Sequence, residues 1–216
     1  MGLTKLPGLG LGRHKSQETS MLAQMTIRLL QKRTFEDAIH VILDDVIALH
    51  GAEFGNVQLP LGDELVIAAQ YGLPKPFLKS FKRVRKDGGS ACGRAFRLGA
   101  PVIVADVEKD VAFSAFVKDA RRAGFRSVQS TPFFTRDGCL VGVVSTHFAH
   151  AHEPTSIEMH TLKAYGGIAA EHVYSLLGDV ALATKAEQMS EKLYKSSSAD
   201  RRSEARHRSP GAPTSP

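Results

Sequence analysis

Two cysteines, Cys92 and Cys139, are the first residues to weigh as chemistry. Cys92 stands two residues after Ser90 in Gly88-Gly89-Ser90-Ala91-Cys92-Gly93. With Ser90 as the cap of a helix, Cys92 falls in its first turn. Backbone donors and the helix dipole there lower a thiol pKa. A nucleophilic thiolate with a second thiol to resolve it would be the equipment of a thiol oxidoreductase. The competing role is a small buried hydrophobe, and it is the preferred one. Cys139, at the start of a strand, is less distinctive.

His147, His150 and His152 cluster in Ser145-Thr146-His147-Phe148-Ala149-His150-Ala151-His152. Imidazoles bind zinc, copper or haem iron. No cysteine or acid accompanies them at a fixed spacing except the adjacent Glu153, so solvated histidines at a strand end are the preferred reading and no metal is expected. Gly88-Gly89 lacks the Lys-Ser/Thr of a phosphate-binding loop.

Polar residues inside apolar strands are more informative. Two apolar runs, Phe125–Phe134 and Cys139–Phe148, flank Arg136-Asp137-Gly138, a strong hairpin signal. Side chains alternate along a strand. Ser127, Gln129 and Thr131 then share a face with Val144 and Thr146. Polar groups facing inward need partners or water. The reading is a ligand pocket between this face and two small helices, 91–98 and 114–123. Asp106 and Arg126 flank the region and are placed to orient a polar ligand. The candidate ligand-binding set is therefore Cys92, Asp106, Ser127, Gln129, Thr131 and Thr146, with no catalytic residue and no identified cofactor.

The elements that must position these residues are legible. Phe35, Ala38, Ile39, Ile42, Leu43, Val46 and Ile47 follow helical spacing over 34–50. Thr34 caps that helix and Gly51 ends it. A shorter helix fits 17–33. Strands 54–59 and 64–71 flank a turn at Pro60-Leu61-Gly62-Asp63. Pro74 and Pro76 predict a loop, and 82–85 a charged edge strand. Ser90 and Gly99 bound a small helix. A short buried strand follows at 101–104, then a helix capped by Ser114. Thr155 and Glu158 form a capping-box pattern that opens the last long helix. Gly166-Gly167 within it implies close approach of a neighbour. This order predicts an α+β fold: a largely antiparallel sheet with two long helices on one face.

The formal charge of +6 belongs to the ends. Residues 1–33 hold six Lys/Arg and one acid, residues 183–216 seven and four, and residues 34–182 fifteen and seventeen. Phosphate recognition wants a basic face on the fold, so nucleic acid is a poor partner for the core. Two cysteines exclude a disulfide framework and suit a reducing compartment. No apolar run approaches the ~20 residues of a membrane span. A cytoplasmic protein is expected.

The stretch Gly88 to Ala95 resembles the GAF domain of bacterial signalling proteins. So do Gly99-Ala100-Pro101-Val102-Ile103-Val104-Ala105-Asp106-Val107, Ala123 to Pro132, and Asp137-Gly138 with Val141 to His147. The resemblance covers about residues 20–177. It implies a GAF/PAS-like six-stranded antiparallel sheet with helices on both faces, and a sensor that binds a small molecule, dimerises or passes a signal on. Neither the Asn-Lys…Phe…Asp-Glu pattern of cyclic-nucleotide binders nor the Cys-His pair of bilin carriers occurs; Gly93 follows Cys92.

The expected organisation is a disordered N-terminus (1–16), a GAF-like domain with its N-terminal helix (17–177), a helical extension (178–195) and a disordered tail (196–216), with 34–177 folding alone. No attached output domain is expected. The expected function is a non-catalytic sensory module, a homodimer, with an unidentified small-molecule ligand and a protein partner such as a histidine kinase. The alternatives are a small thiol-dependent oxidoreductase of the free methionine sulfoxide reductase type and a ligand-free scaffold.

Overall fold

The computed structural model describes residues 10–177 and 180–206. The chain builds β1 (Phe54–Leu61), β2 (Glu64–Tyr71), β3 (Arg83–Arg85), β4 (Val102–Val104), β5 (Ser127–Phe134) and β6 (Leu140–Phe148). They form one antiparallel sheet in the order β3-β2-β1-β6-β5-β4. Gly62 (φ 63) and Gly138 (φ 79) supply the left-handed residues of the two hairpin turns.

One sheet face is covered by long helices: α1 (Gly10–Leu30), α2 (Phe35–His50), α6 (Ser156–Ser175) and α7 (Leu182–Arg206). The α2 stripe drives this layer, with Phe35, Ala38, Ile39, Ile42, Leu43 and Val46 all buried. Each large apolar side chain so buried contributes about 1.5–3 kcal/mol. Thr34 accepts from the Asp37 amide, and Gly51 closes the helix at φ 60. On α6 the Thr155–Glu158 capping box is complete. Gly166 sits where a Cβ would lie 2.9 Å from the Phe133 ring, the close approach expected of the glycine pair, whereas Gly167 meets no neighbour within 4 Å. Asp45, 1% exposed, accepts from the Tyr165 hydroxyl at 2.7 Å and pairs with Arg28 at 2.8 Å. This buried carboxylate thus ties α1, α2 and α6 together.

The opposite face carries short elements: α3 (Lys75–Ser80), α4 (Ala91–Leu98), a 3-10 turn (Val111–Phe116) and α5 (Val117–Ala123). Ser90 caps α4 and Gly99 ends it at φ 61.

Four expectations are corrected. Pro74 and Pro76 do not make a loop; they open α3, because a proline in the first turn loses no helical hydrogen bond. The helix expected from Ser114 begins earlier, as a 3-10 turn capped by Asp110, whose carboxylate accepts from the Phe113 amide. Residues 10–16, expected to be disordered, belong to α1, while 1–9 lie outside the described residues. The tail expected from 196 is helical to Arg206, with 207–216 outside the described residues. Helix α7 also folds back on the sheet rather than extending from it: Ala186 and Met189 are buried, and Lys185 pairs with Glu36 at 3.0 Å.

Candidate functional site

Strand alternation decides which polar residues meet under the short helices. On β5, Val128 faces them; on β6, Val143 does; on β2, Leu65 and Ile67 do. The residues in phase with these are Asn56 and Gln58 on β1, Ser130 on β5, and Ser145 and His147 on β6. Register aligns them across three strands, with Asn56 opposite Ser145 and Ser145 opposite Ser130. The Ser130 and Ser145 hydroxyls lie 2.8 Å apart.

Helix α4 brings Ser90 and Cys92 over this row, and Phe77 and Phe81 of the α3 region with Phe113 and Phe125 wall it in. Phe77 stacks on Phe81 at 4.3 Å between centroids, while the His147 ring meets Phe125 edge-on at 4.6 Å. The cavity is about 20 Å³, room for one water-sized molecule.

Three polar atoms in its wall are buried without a protein partner: Asn56 Oδ1, Gln58 Oε1 and His147 Nδ1. A stranded buried polar group costs about 1–3 kcal/mol. Burial also sets the titration behaviour. His147 is pushed down to about 3, so its imidazole is neutral at physiological pH. Burial pushes the Cys92 thiol up, against opposing hydrogen bonds from Ser90, Gly93 and Gln58. Burial therefore outweighs any helix-start effect, in line with the preferred reading of Cys92 as a buried, small hydrophobe. Cys139 is exposed at the β5–β6 hairpin, and neither cysteine is in a disulfide.

Of the six candidate residues, only Cys92 lines this cavity. Ser127, Gln129, Thr131 and Thr146 do share one face, with Gln129 opposite Thr146 and Thr131 opposite Val144. That face turns to α2 and α6, not to α4 and α5 as expected; Val144 and Phe133 pack there with Leu162 and Tyr165. Ser127 donates to the His150 carbonyl at 2.8 Å, and Gln129 donates to Thr131 at 3.3 Å. Gln129 Oε1 and Thr146 Oγ1 are buried and unpartnered. Thr131 borders an open groove of about 550 Å³ between β5 and α6. Asp106 lies outside the cavity too. Arg126 grips it at 3.0 and 3.2 Å and holds its carboxyl below the usual range.

The histidines also divide differently from expectation. His147 is a cavity wall. His152 stacks on Phe148 at 3.9 Å, and His150 is exposed, 3.7 Å from Glu53. Among the described residues no group of three or more His, Cys, Asp or Glu is placed to hold a metal. None of their helices is long and apolar enough to cross a membrane. The residues missed by the sequence reading are Asn56, Gln58, Ser130 and Ser145, while His147, expected to be solvated, is buried in the cavity wall. Their signal was present: Asn56-x-Gln58 and Ser145-x-His147 are polar pairs at the strand period.

Solved structures share this architecture. The GAF domain of a Coxiella burnetii phosphoenolpyruvate-protein phosphotransferase superposes with a TM-score of 0.62 at 16% identity, covering 74% of this chain and 94% of that one. Free methionine-R-sulfoxide reductase from Neisseria meningitidis, in complex with its substrate, gives 0.60 at 18%, covering 87% and 99%. The A. aeolicus nlh2 GAF domain in an inactive state gives 0.57 at 21%, covering 75% and 98%. No curated protein matches the sequence. Residues 32–173 match the family profile described as GAF domain. With two thirds of its length matched to that profile and the same six-stranded sheet, this chain belongs to the GAF domain family.

Proposed function

We propose that this chain is a non-catalytic sensory module whose receiving site is the cavity beneath α3 and α4. The observation that carries the reading is the trio of buried, unpartnered atoms on Asn56, Gln58 and His147 behind an aromatic wall. Small-molecule sites are mostly apolar pockets with a few convergent polar groups, but they hold about 300–1,000 Å³, so this cavity of about 20 Å³ must open to receive a ligand. A route outward supports the reading further. The Tyr194 hydroxyl of α7 donates to the Leu78 carbonyl of α3 at 2.6 Å, so the helix that walls the cavity is bonded to the last described helix. Displacing α3 would be felt by α7.

A homodimer in the cytoplasm, acting on a signalling protein such as a histidine kinase, fits the same reading. Exposed Ile27 and Leu30 on α1 and Tyr174 on α6 offer apolar surface to a second copy. The thiol oxidoreductase reading is weaker, because burial pushes the thiol of the cavity cysteine up, away from the thiolate that such chemistry needs. Native mass spectrometry of protein purified from its own host tests the proposal. A bound small molecule should be retained by wild type and lost from Gln58→Leu. A wild-type protein that carries no small molecule under any gentle ionisation condition would count against it.

A further inference from the structure

Charge and donor supply at the cavity wall restrict what it accepts. Its polar lining consists of amides, hydroxyls, one thiol and one imidazole, and no Asp, Glu, Lys or Arg borders it among the described residues. An ion drawn into such a place would leave water without a countercharge, which is costly. A neutral molecule escapes that penalty. Next, the stranded atoms are mostly acceptors. Asn56 Oδ1 and Gln58 Oε1 are carbonyl oxygens, 3% and 1% exposed at the residue level, and each waits for an N–H or O–H. Ser90, not a charged group, is the side chain that meets the Cys92 sulfur, with its hydroxyl at 3.5 Å. Finally, Phe77, Phe81, Phe113 and Phe125 give the site flat apolar walls that stack on a ring.

Resting on the pocket reading above, we propose that the ligand is an uncharged, planar, ring-sized molecule that donates hydrogen bonds to Asn56 and Gln58. A molecule of that size requires the cavity, about 20 Å³ as it stands, to widen. The yielding wall is α3, a six-residue helix with no side-chain cap bond. Its Phe77 and Leu78 are buried, so ligand entry displaces α3 as a unit together with the Tyr194 bond to the Leu78 carbonyl. The neutral state of His147 completes an environment free of charge.

Four molecules of nearly one shape test this: benzamide, benzoate, benzamidinium and acetophenone. They differ in charge and in whether they donate. Each is titrated into the full chain while the His147 ring and the Asn56 and Gln58 amide resonances are followed by NMR. Benzamide is expected to perturb all three residues and to bind at least tenfold more tightly than the other three. In Gln58→Leu, with folding verified by its melting curve, the preference for benzamide over acetophenone should fall severalfold. Benzoate or benzamidinium binding at these residues as tightly as benzamide would overturn the neutral class and leave the pocket reading intact. Acetophenone binding as tightly would overturn the donor requirement alone. If none of the four perturbs these residues at millimolar concentration, or all act elsewhere, both the inference and the pocket reading fail.

Discussion

His147 illustrates how one side chain acquires a role from its surroundings. An imidazole at a strand end next to His150 and His152 reads as solvated, yet the β6 register sends it into an apolar enclosure at 3% exposure. Desolvation lowers its pKa from 6.5 to about 3. Between those values the unfolded chain binds the proton and the folded chain does not, so stability rises with pH there and is lost on acidification. From this group alone, lowering the pH from 7 to 5 should cost about 2 kcal/mol. Urea denaturation of wild type and His147→Phe at both values checks it: the variant should lose less stability on acidification. Equal losses would mean that His147 is not desolvated. Cys92 is expected to behave as an inert thiol. In single-cysteine variants, iodoacetamide at neutral pH should label exposed Cys139 rapidly and buried Cys92 slowly. Rapid labelling of Cys92 together with turnover of free methionine sulfoxide would favour the reductase reading.

At the scale of elements, two adjacent glycines on α6 separate helix propensity from packing. Gly167 has open space where a Cβ would go, so Gly167→Ala should stabilise by up to about 1 kcal/mol. At Gly166 the new methyl would press on the Phe133 ring, which is 4% exposed and approached to 2.9 Å. Overpacking costs about 1–3 kcal/mol, enough to outweigh the propensity gain, so Gly166→Ala should destabilise. Thermal melts of the two variants should move in opposite directions. The elements were largely readable beforehand because caps, glycine stops and the Asp-Gly hairpin are local signals: Thr34, Ser90, Gly99 and Thr155 all act as their types require. The site was less readable for a reason of the same kind. On β5 and β6 both alternations carry polar residues, Gln129 and Thr146 on one side, Ser130 and Ser145 on the other. Periodicity sorts residues into two sets. Which set lies under α4 depends on where the long helices pack, a tertiary fact that no strand encodes.

In the whole molecule, the two sheet faces divide the labour: long helices store the stability, and short ones close the cavity. The long layer includes both terminal helices, with Met25 and Leu29 from α1 and Ala186 and Met189 from α7 inside the core. A fragment limited to residues 34–177 should therefore melt well below one spanning 19–196, and Met189→Ala in the full chain should cost about 2–5 kcal/mol. Equal melting of the two fragments would contradict that view of α7. In the proposed function, ligands enter beneath α3 and α4 rather than the larger groove between β5 and α6. Hydrogen exchange of the full chain, before and after equilibration with the small-molecule extract of its own host, tests this most directly. New protection is expected in 75–81 and 90–95, with a smaller change around Tyr194 of α7. Protection confined to 131–134 and 159–167, or none at all, would contradict it.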